Sequence, residues 1–282
     1  MRISNNITAL NTYRQYSINS SNTNKSMEKL SSGSRINRAA DDAAGLSISE
    51  KMRAQIRGLK QGTRNAQDGI SYLQTAEGAL NEVSDMLTRM KELATQVTNE
   101  TYSSDDQDNI GAEMKALGEA ISDIYVNTKF NGTAVFGGVT ANSSTGALTA
   151  GSAAATITYG EDGASSISIA AIAVTSMSAL TTAAASADSS PQGIDNDMVE
   201  AAITEVDTLR ANYGAQQNQL EHAANNMSTT KENLQAAESR VRDVDMAEEM
   251  MSYTKNNILL QASQAMLAQA NSQPQGVLQL LQ

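Results

Sequence analysis

Apolar residues recur along much of this chain in alternating steps of three and four. Ile70, Leu73, Leu80, Val83, Leu87, Met90, Ala94 and Val97 form one such stripe, with Ala76 in the remaining slot. Apolar positions at that spacing share one face of an α-helix. Ile110, Met114, Leu117, Ile121 and Ile124 form a second stripe beyond the turn-like stretch NETYSSDDQD. The longest stripe runs from Val199 through Val206, Tyr213, Leu220 and Met227 to Val244, in phase over 46 residues. A single helix of that length measures about 70 Å at 1.5 Å per residue. A sustained seven-residue repeat also needs partner helices along its seam, and the two upstream stripes are the nearest.

Between the helical halves the pattern changes. Asn131-Gly132 in FNGTAVFGG is a strong turn dipeptide directly after a helical stretch. From Thr133 to Pro191 the chain is rich in Ala, Ser, Thr and Gly, with the short alternating runs TITYG and SSISIAAIAV. These runs predict β-hairpins or a small sheet, not helix. The fold expected is mainly α: a long antiparallel coiled-coil bundle with a small β-hairpin region.

The two ends resemble each other. Ile3, Ile7, Leu10, Ser17 and Ile18 make a weak stripe near the start, and Ile258, Ala262, Ala265, Met266 and Ala270 make another near the end. The segment Asn256 to Gln282 carries no charged side chain, although the chain's net charge is −11. Neither end has enough apolar area to stand alone, and short isolated helices are marginal in water. Both are therefore expected to be helical and paired, with each other and with further copies.

Composition narrows the functional classes. The chain lacks Cys and Trp and has a single His, His222. A net negative charge argues against general nucleic-acid binding, which depends on excess Lys and Arg. No segment approaches the roughly 20 apolar residues of a bilayer span, so no membrane insertion is expected. The opening MRISNNITAL has no apolar core of the kind a cleavable secretory signal carries. No nucleophile elbow, phosphate loop or HExxH zinc motif occurs, so neither an enzyme nor a cofactor or metal is expected. Asp41-Asp42 and Asp105-Asp106 read as turn and cap residues, and SISE from Ser47 to Glu50 as a capping box opening a helix.

Charge is segregated along the chain, near +4 over residues 35–64 and −8 over 65–130. Such a distribution suits docking between different parts of neighbouring copies. The basic stretch overlaps LSSGSRINRAADDAAGLSISEKMRAQIRGL, which reads as a helix end, a turn at Gly33, an arginine-bearing loop and a new helix. Arg35 and Arg38 suit forked contacts to carboxylates at a subunit-facing joint, or pairing with Asp41 and Asp42 next door.

With that joint, the opening MRISNNITALNTYRQ, the stretch GTRNAQDGISYLQTAEGALNEVSDMLTRMKELATQ and the segments NTKFNGT, LRANYGAQQNQLEHAANN, ESRVRDVDMAEEM and QASQAMLAQANSQPQGVLQLL, the chain closely resembles bacterial flagellin. The resemblance covers about residues 1–135 and 195–282. It implies an inner domain of 1–44 plus 241–282 lining a filament core, outer helices from 45–132 plus 191–240, and a variable hairpin region over 133–190. It implies a homopolymer of many copies, exported through the flagellar type III route into an extracellular filament used for motility. A chaperone on the C-terminal helix, and flagellar cap and junction proteins, are further implied partners. Assembly contacts are expected at Ile3, Ile7, Leu10, Arg35, Arg38, Ile258, Leu259, Ala262, Met266, Leu278 and Leu281. The family's contacts with a host Toll-like receptor map onto Arg89, Leu93 and Glu113. A hook–filament junction protein, which shares the end motifs, is the alternative reading.

Overall fold

The computed structural model describes residues 6–99, 102–141, 147–149, 155–160, 163, 165–169, 174–187 and 193–280, with the side chains of 141 and 274–280 excepted. Its helices are α1 (Ile7–Ser32), α2 (Ala43–Val97), α3 (Ser104–Asn127), α4 (Thr175–Ala185), α5 (Asn196–Arg242) and α6 (Met246–Leu280). Three short antiparallel strand pairs join β1 (Lys129–Phe130) to β2 (Thr133–Ala134), β3 (Thr140–Ala141) to β4 (Leu148–Thr149), and β5 (Thr156–Thr158) to β6 (Ser166–Ser168). The chain divides into two compact units, Met1–Ile56 with Glu232–Gln282, and Arg57–Lys231.

In the larger unit the stripes of α2, α3 and α5 meet. Leu73, Leu80, Leu87, Met90, Met114, Ile121, Val199, Ala202 and Val206 are all fully or almost fully buried. Polar links flank this core: Lys91 Nζ to Glu200 at 3.1 Å joins α2 to α5, as does the Gln217 amide donating to Glu77 at 3.0 Å. Ser103 and Asp106 form a reciprocal capping box at the start of α3, so Asp106 of the acidic pair takes part in a helix cap and Asp105 lies in the first turn. Asn131 and Gly132 both take positive φ, 49° and 82°, between β1 and β2. That is the backbone of a type I′ hairpin turn, as the dipeptide predicts.

The middle segment departs from its sequence reading at α4. Met177, Leu180, Thr181 and Ala184 are buried and lie at helical spacing, yet the Thr/Ala/Ser-rich composition around them disguises that pattern. Helix α4 packs on α3, where the Ala184 methyl lies against Gly118. Its first turn is held by Glu205, whose carboxylate accepts from the Ser176 N–H at 2.9 Å. The runs around TITYG and SSISI do pair, as β5 and β6, while 170–173 lie outside the described residues.

In the smaller unit α1 and α6 run antiparallel. The Asn6 amide donates to the Ala270 carbonyl at 2.8 Å, the Asn19 amide to Ser263 Oγ at 2.8 Å, and Lys29 faces Glu249 at 4.0 Å. Helix α1 ends at Gly33, whose φ of 69° is the left-handed conformation glycine adopts without strain. The chain then crosses to α5 and α6: Arg35 N–H donates to the Arg242 carbonyl at 2.6 Å and Val244 N–H to the Gly33 carbonyl at 3.1 Å. Helix α2 begins earlier than the Ser47–Glu50 motif predicts. Asp42 supplies the cap, its carboxylate accepting from the Gly45 N–H at 2.9 Å, so Ser47 sits inside the helix.

Candidate functional site

The seam between α1 and α6 is built from the less apolar positions. On α1 it follows Ala9, Thr12, Tyr16, Asn19, Thr23, Ser26 and Leu30, all buried or part-buried in strict three–four alternation. On α6 it follows Glu249, Tyr253, Asn256, Leu260, Ser263, Leu267 and Ala270 at the same spacing. Asn19, Thr23 and Ser26 are the buried members on α1, and Thr23 Oγ1 donates back to the Asn19 carbonyl at 2.8 Å. Buried polar groups are tolerated in such a seam where they find partners, as Asn19 and Thr23 do.

The large apolar side chains point elsewhere. Ile7 and Leu10 are each 61% exposed, Ile258 61%, Met266 59% and Leu259 41%. Met251, Ile258, Ala262 and Ala265 form an exposed row on the face of α6 turned away from α1. Of the residues expected in the two end stripes, Ala270 alone among the described ones lies buried in the intrachain seam. Ile3 and Leu281 lie outside the described residues; Leu278 belongs to α6, its side chain undescribed.

Sequence reasoning missed other exposed apolar side chains of this unit: Tyr13, Met27, Ile48, Met246, Met250 and Met251. The signal for Met251 was its seven-residue step to Ile258. Adjacent acidic residues in MAEEMM hide Met246 and Met250. Contiguous exposed apolar side chains are common at interaction surfaces, and the segment from Asn256 onward carries no charge.

The joint is organised within the chain. Arg35 Nη2 donates to the Val241 carbonyl at 2.8 Å, and Arg38 pairs with Glu28 at 3.0 Å. Neither guanidinium meets Asp41 or Asp42, because Asp41 already accepts the backbone N–H groups of Arg38 and Asn37 at 3.0 and 3.2 Å. Those two N–H bonds also hold its carboxyl below the usual range. Arg242 reaches Glu50 at 2.7 Å and, ahead of Arg53, lowers that carboxyl's pKa.

Arg89 sits on α2 between Glu92 at 2.9 Å and Glu113 of α3 at 3.0 Å; these carboxylates, Glu92 first, hold its charge more firmly. All three side chains are about half exposed. Leu93 is different. It is 1% exposed, inside the core. It belongs to the wide buried face of α2, where Met90, Leu93, Ala94 and Val97 are all covered.

Among the described residues no helix is long and apolar enough to cross a membrane, and no acidic or histidine cluster could hold a metal ion. The arrangement defines an α-helical structural subunit whose ends pair through a polar seam and present apolar faces outward. Residues 3–141 match the bacterial flagellin N-terminal helical region, and residues 196–281 match its C-terminal helical region. The chain belongs to the bacterial flagellin family, as a short form, and is a structural subunit of the flagellar filament. It is 49% identical to a flagellin of Bacillus subtilis and 49% identical to one of Halalkalibacterium halodurans, both aligned over 100% of each chain. A putative flagellar hook-associated protein from Vibrio parahaemolyticus shares the fold, with a TM-score of 0.50 at 17% identity, over 72% of this chain and 97% of that one.

Proposed function

We propose that copies of this chain polymerise through the exposed faces of α1 and α6 into an extracellular filament. In this reading 1–44 plus 241–282 form its inner wall and 45–132 plus 191–240 its outer helices, with 133–190 as the variable hairpin region. One observation carries it: the intrachain seam uses Asn19, Thr23 and Ser26, leaving Leu10, Ile258 and Met266 exposed. Full burial of such a side chain contributes about 1.5–3 kcal/mol, so repeating the face along a polymer gives assembly its driving force. The test is seeded elongation of an Ile258→Asp/Met266→Asp variant. Monomer helicity is expected to stay unchanged, because both side chains are exposed, and elongation to stop. Elongation at the wild-type rate would sink the assignment, and a wild-type chain that fails to extend its own seeds would favour the junction-protein alternative.

The same open face on α6 needs cover before assembly, which favours a chaperone on this helix during export by the type III route; cap and junction proteins would meet it at the filament ends. We also propose that Arg89 and Glu113, exposed and ion-paired across α2 and α3, present the contact for a host Toll-like receptor. Leu93 would support that surface from beneath. A receptor reporter assay should then lose more signal with Arg89→Ala than with a conservative Leu93→Met change; the reverse order would refute this placement.

A further inference from the structure

Three cations on α2, Arg57, Lys60 and Arg64, lie in steps of three and four and are all exposed. The face they share is opposite the one bearing Gly62, Asn65 and Gly69, where the β5–β6 hairpin sits. None has a carboxylate within 4.0 Å among the described residues; Arg64 donates only to Gln61. Like charges at these spacings destabilise their own helix; Asp68, one turn beyond Arg64, is the nearest carboxylate along this face but forms no ion pair with the row among the described residues.

A matching row of opposite sign stands on α3. Glu119 and Asp123, four residues apart, are exposed on the side away from buried Met114, Ile121 and Tyr125. They too repel each other, and they lie toward the C-terminal half of the helix, whose dipole does not favour carboxylates. The single cation of α3, Lys115, is itself engaged. Two exposed rows of opposite sign thus lie on one compact unit of a chain with a net charge of −11.

We infer that the Arg57–Lys60–Arg64 row of one copy docks on the Glu119–Asp123 row of a second copy. The occupant is this chain itself, because the complementary charge belongs to the same unit and each subunit of a polymer presents both rows. Arg57 and Arg64 are about 10 Å apart along the helix and Glu119 and Asp123 about 6 Å, so two carboxylates can sit among three cations. The contact deepens the filament reading and rests on it. It adds steering and register to a polymer driven by the apolar faces, and such contacts weaken with salt.

Seeded elongation separates the possibilities, using wild type, Arg57→Glu/Lys60→Glu/Arg64→Glu, Glu119→Lys/Asp123→Lys, and the chain carrying all five changes. Each partial variant should elongate on its own seeds about tenfold more slowly at low salt, with wild-type far-UV circular dichroism. The five-fold variant should recover most of the rate, and added salt should narrow the gap. Partial variants that elongate at the wild-type rate, or a folded five-fold variant as slow as either of them, would overturn the docking. Wild type failing on its own seeds would instead sink the filament reading.

Discussion

The side-chain amide of Asn19 donates to Ser263 Oγ at 2.8 Å, tying the middle of α1 to the middle of α6 from 244 residues away. Asn19 is 6% exposed. The terminal pair is thus held by a polar contact that fixes its register, while its apolar area stays available. A leucine seam would bury more area but would specify register less well, which is the known use of a buried asparagine between helices.

Replacing Asn19 with Ala removes that bond and the weaker one to the Leu259 carbonyl at 3.4 Å, while Ser263 keeps its own bond to the Leu259 carbonyl at 2.6 Å. The expected cost is about 1 kcal/mol. It should be local: amide hydrogen exchange in α1 and α6 should quicken about fivefold, with exchange in α3 and α4 unchanged. Uniform acceleration across the chain would contradict it.

Gly62 and Gly78 both lie on α2, yet they predict opposite outcomes. A Cβ at Gly62 would run into the Tyr159 carbonyl oxygen, a backbone atom that cannot swing away, and would crowd Met227 Sδ at 3.0 Å. Gly62→Ala should therefore destabilise the larger unit by about 1–3 kcal/mol. Gly78 has nothing within 4 Å, so Gly78→Ala should stabilise by about 0.5–1 kcal/mol through helix propensity. Denaturant midpoints of the two variants check the contrast.

How much could be read beforehand follows from residue type. The core of α2, α3 and α5 was legible because Leu73, Leu80, Leu87, Met114, Ile121 and Val206 are large, apolar and in phase. Asn131-Gly132 was legible because few other dipeptides accept two positive φ angles in succession. The α1–α6 seam was not: hydrophobic pattern-reading selects Ile7, Leu10 and Ile258, whereas the pair uses Thr12, Asn19, Ser26 and Ser263. Tyrosine and threonine carry both apolar and polar atoms, so they serve a seam without advertising it. The partners of Arg35 and Arg38 depended on where the loop crosses α5, which no local spacing encodes. Helix α4 was hidden by its small side chains.

Alkaline pH gives a signed prediction. Burial, with neighbouring Tyr72 adding to it, pushes the Tyr213 phenol up to about 12. Tyr125 is raised as well, by burial first and then by Glu205 and Tyr213. An unfolded tyrosine ionises near pH 10. The folded state therefore keeps protons that the unfolded state loses, so stability is full below about pH 10 and falls as pH rises toward 12. Tyr213 OH has no hydrogen-bond partner among the described residues, so Tyr213→Phe should leave neutral stability nearly unchanged. Its denaturant midpoint should fall less steeply above about pH 10 than that of wild type. An identical alkaline slope would mean that Tyr213 ionises freely in the folded chain.

The two arginines of the joint, grouped together by sequence, should separate in the laboratory. Arg35 Nη2 caps the Val241 carbonyl at the end of α5, and its own N–H reaches the Arg242 carbonyl. Arg35→Glu would replace that donor with a carboxylate beside the negative end of a helix, costing about 1–2 kcal/mol of monomer stability. Arg38 is 72% exposed and among the described residues pairs only with Glu28, so Arg38→Glu should move stability by less than about 0.5 kcal/mol. If both serve assembly, the two variants should slow seeded elongation comparably despite their different monomer costs. If elongation instead tracks monomer stability, with Arg38→Glu near wild type, the joint acts within the chain alone and the subunit-facing role of these arginines is wrong.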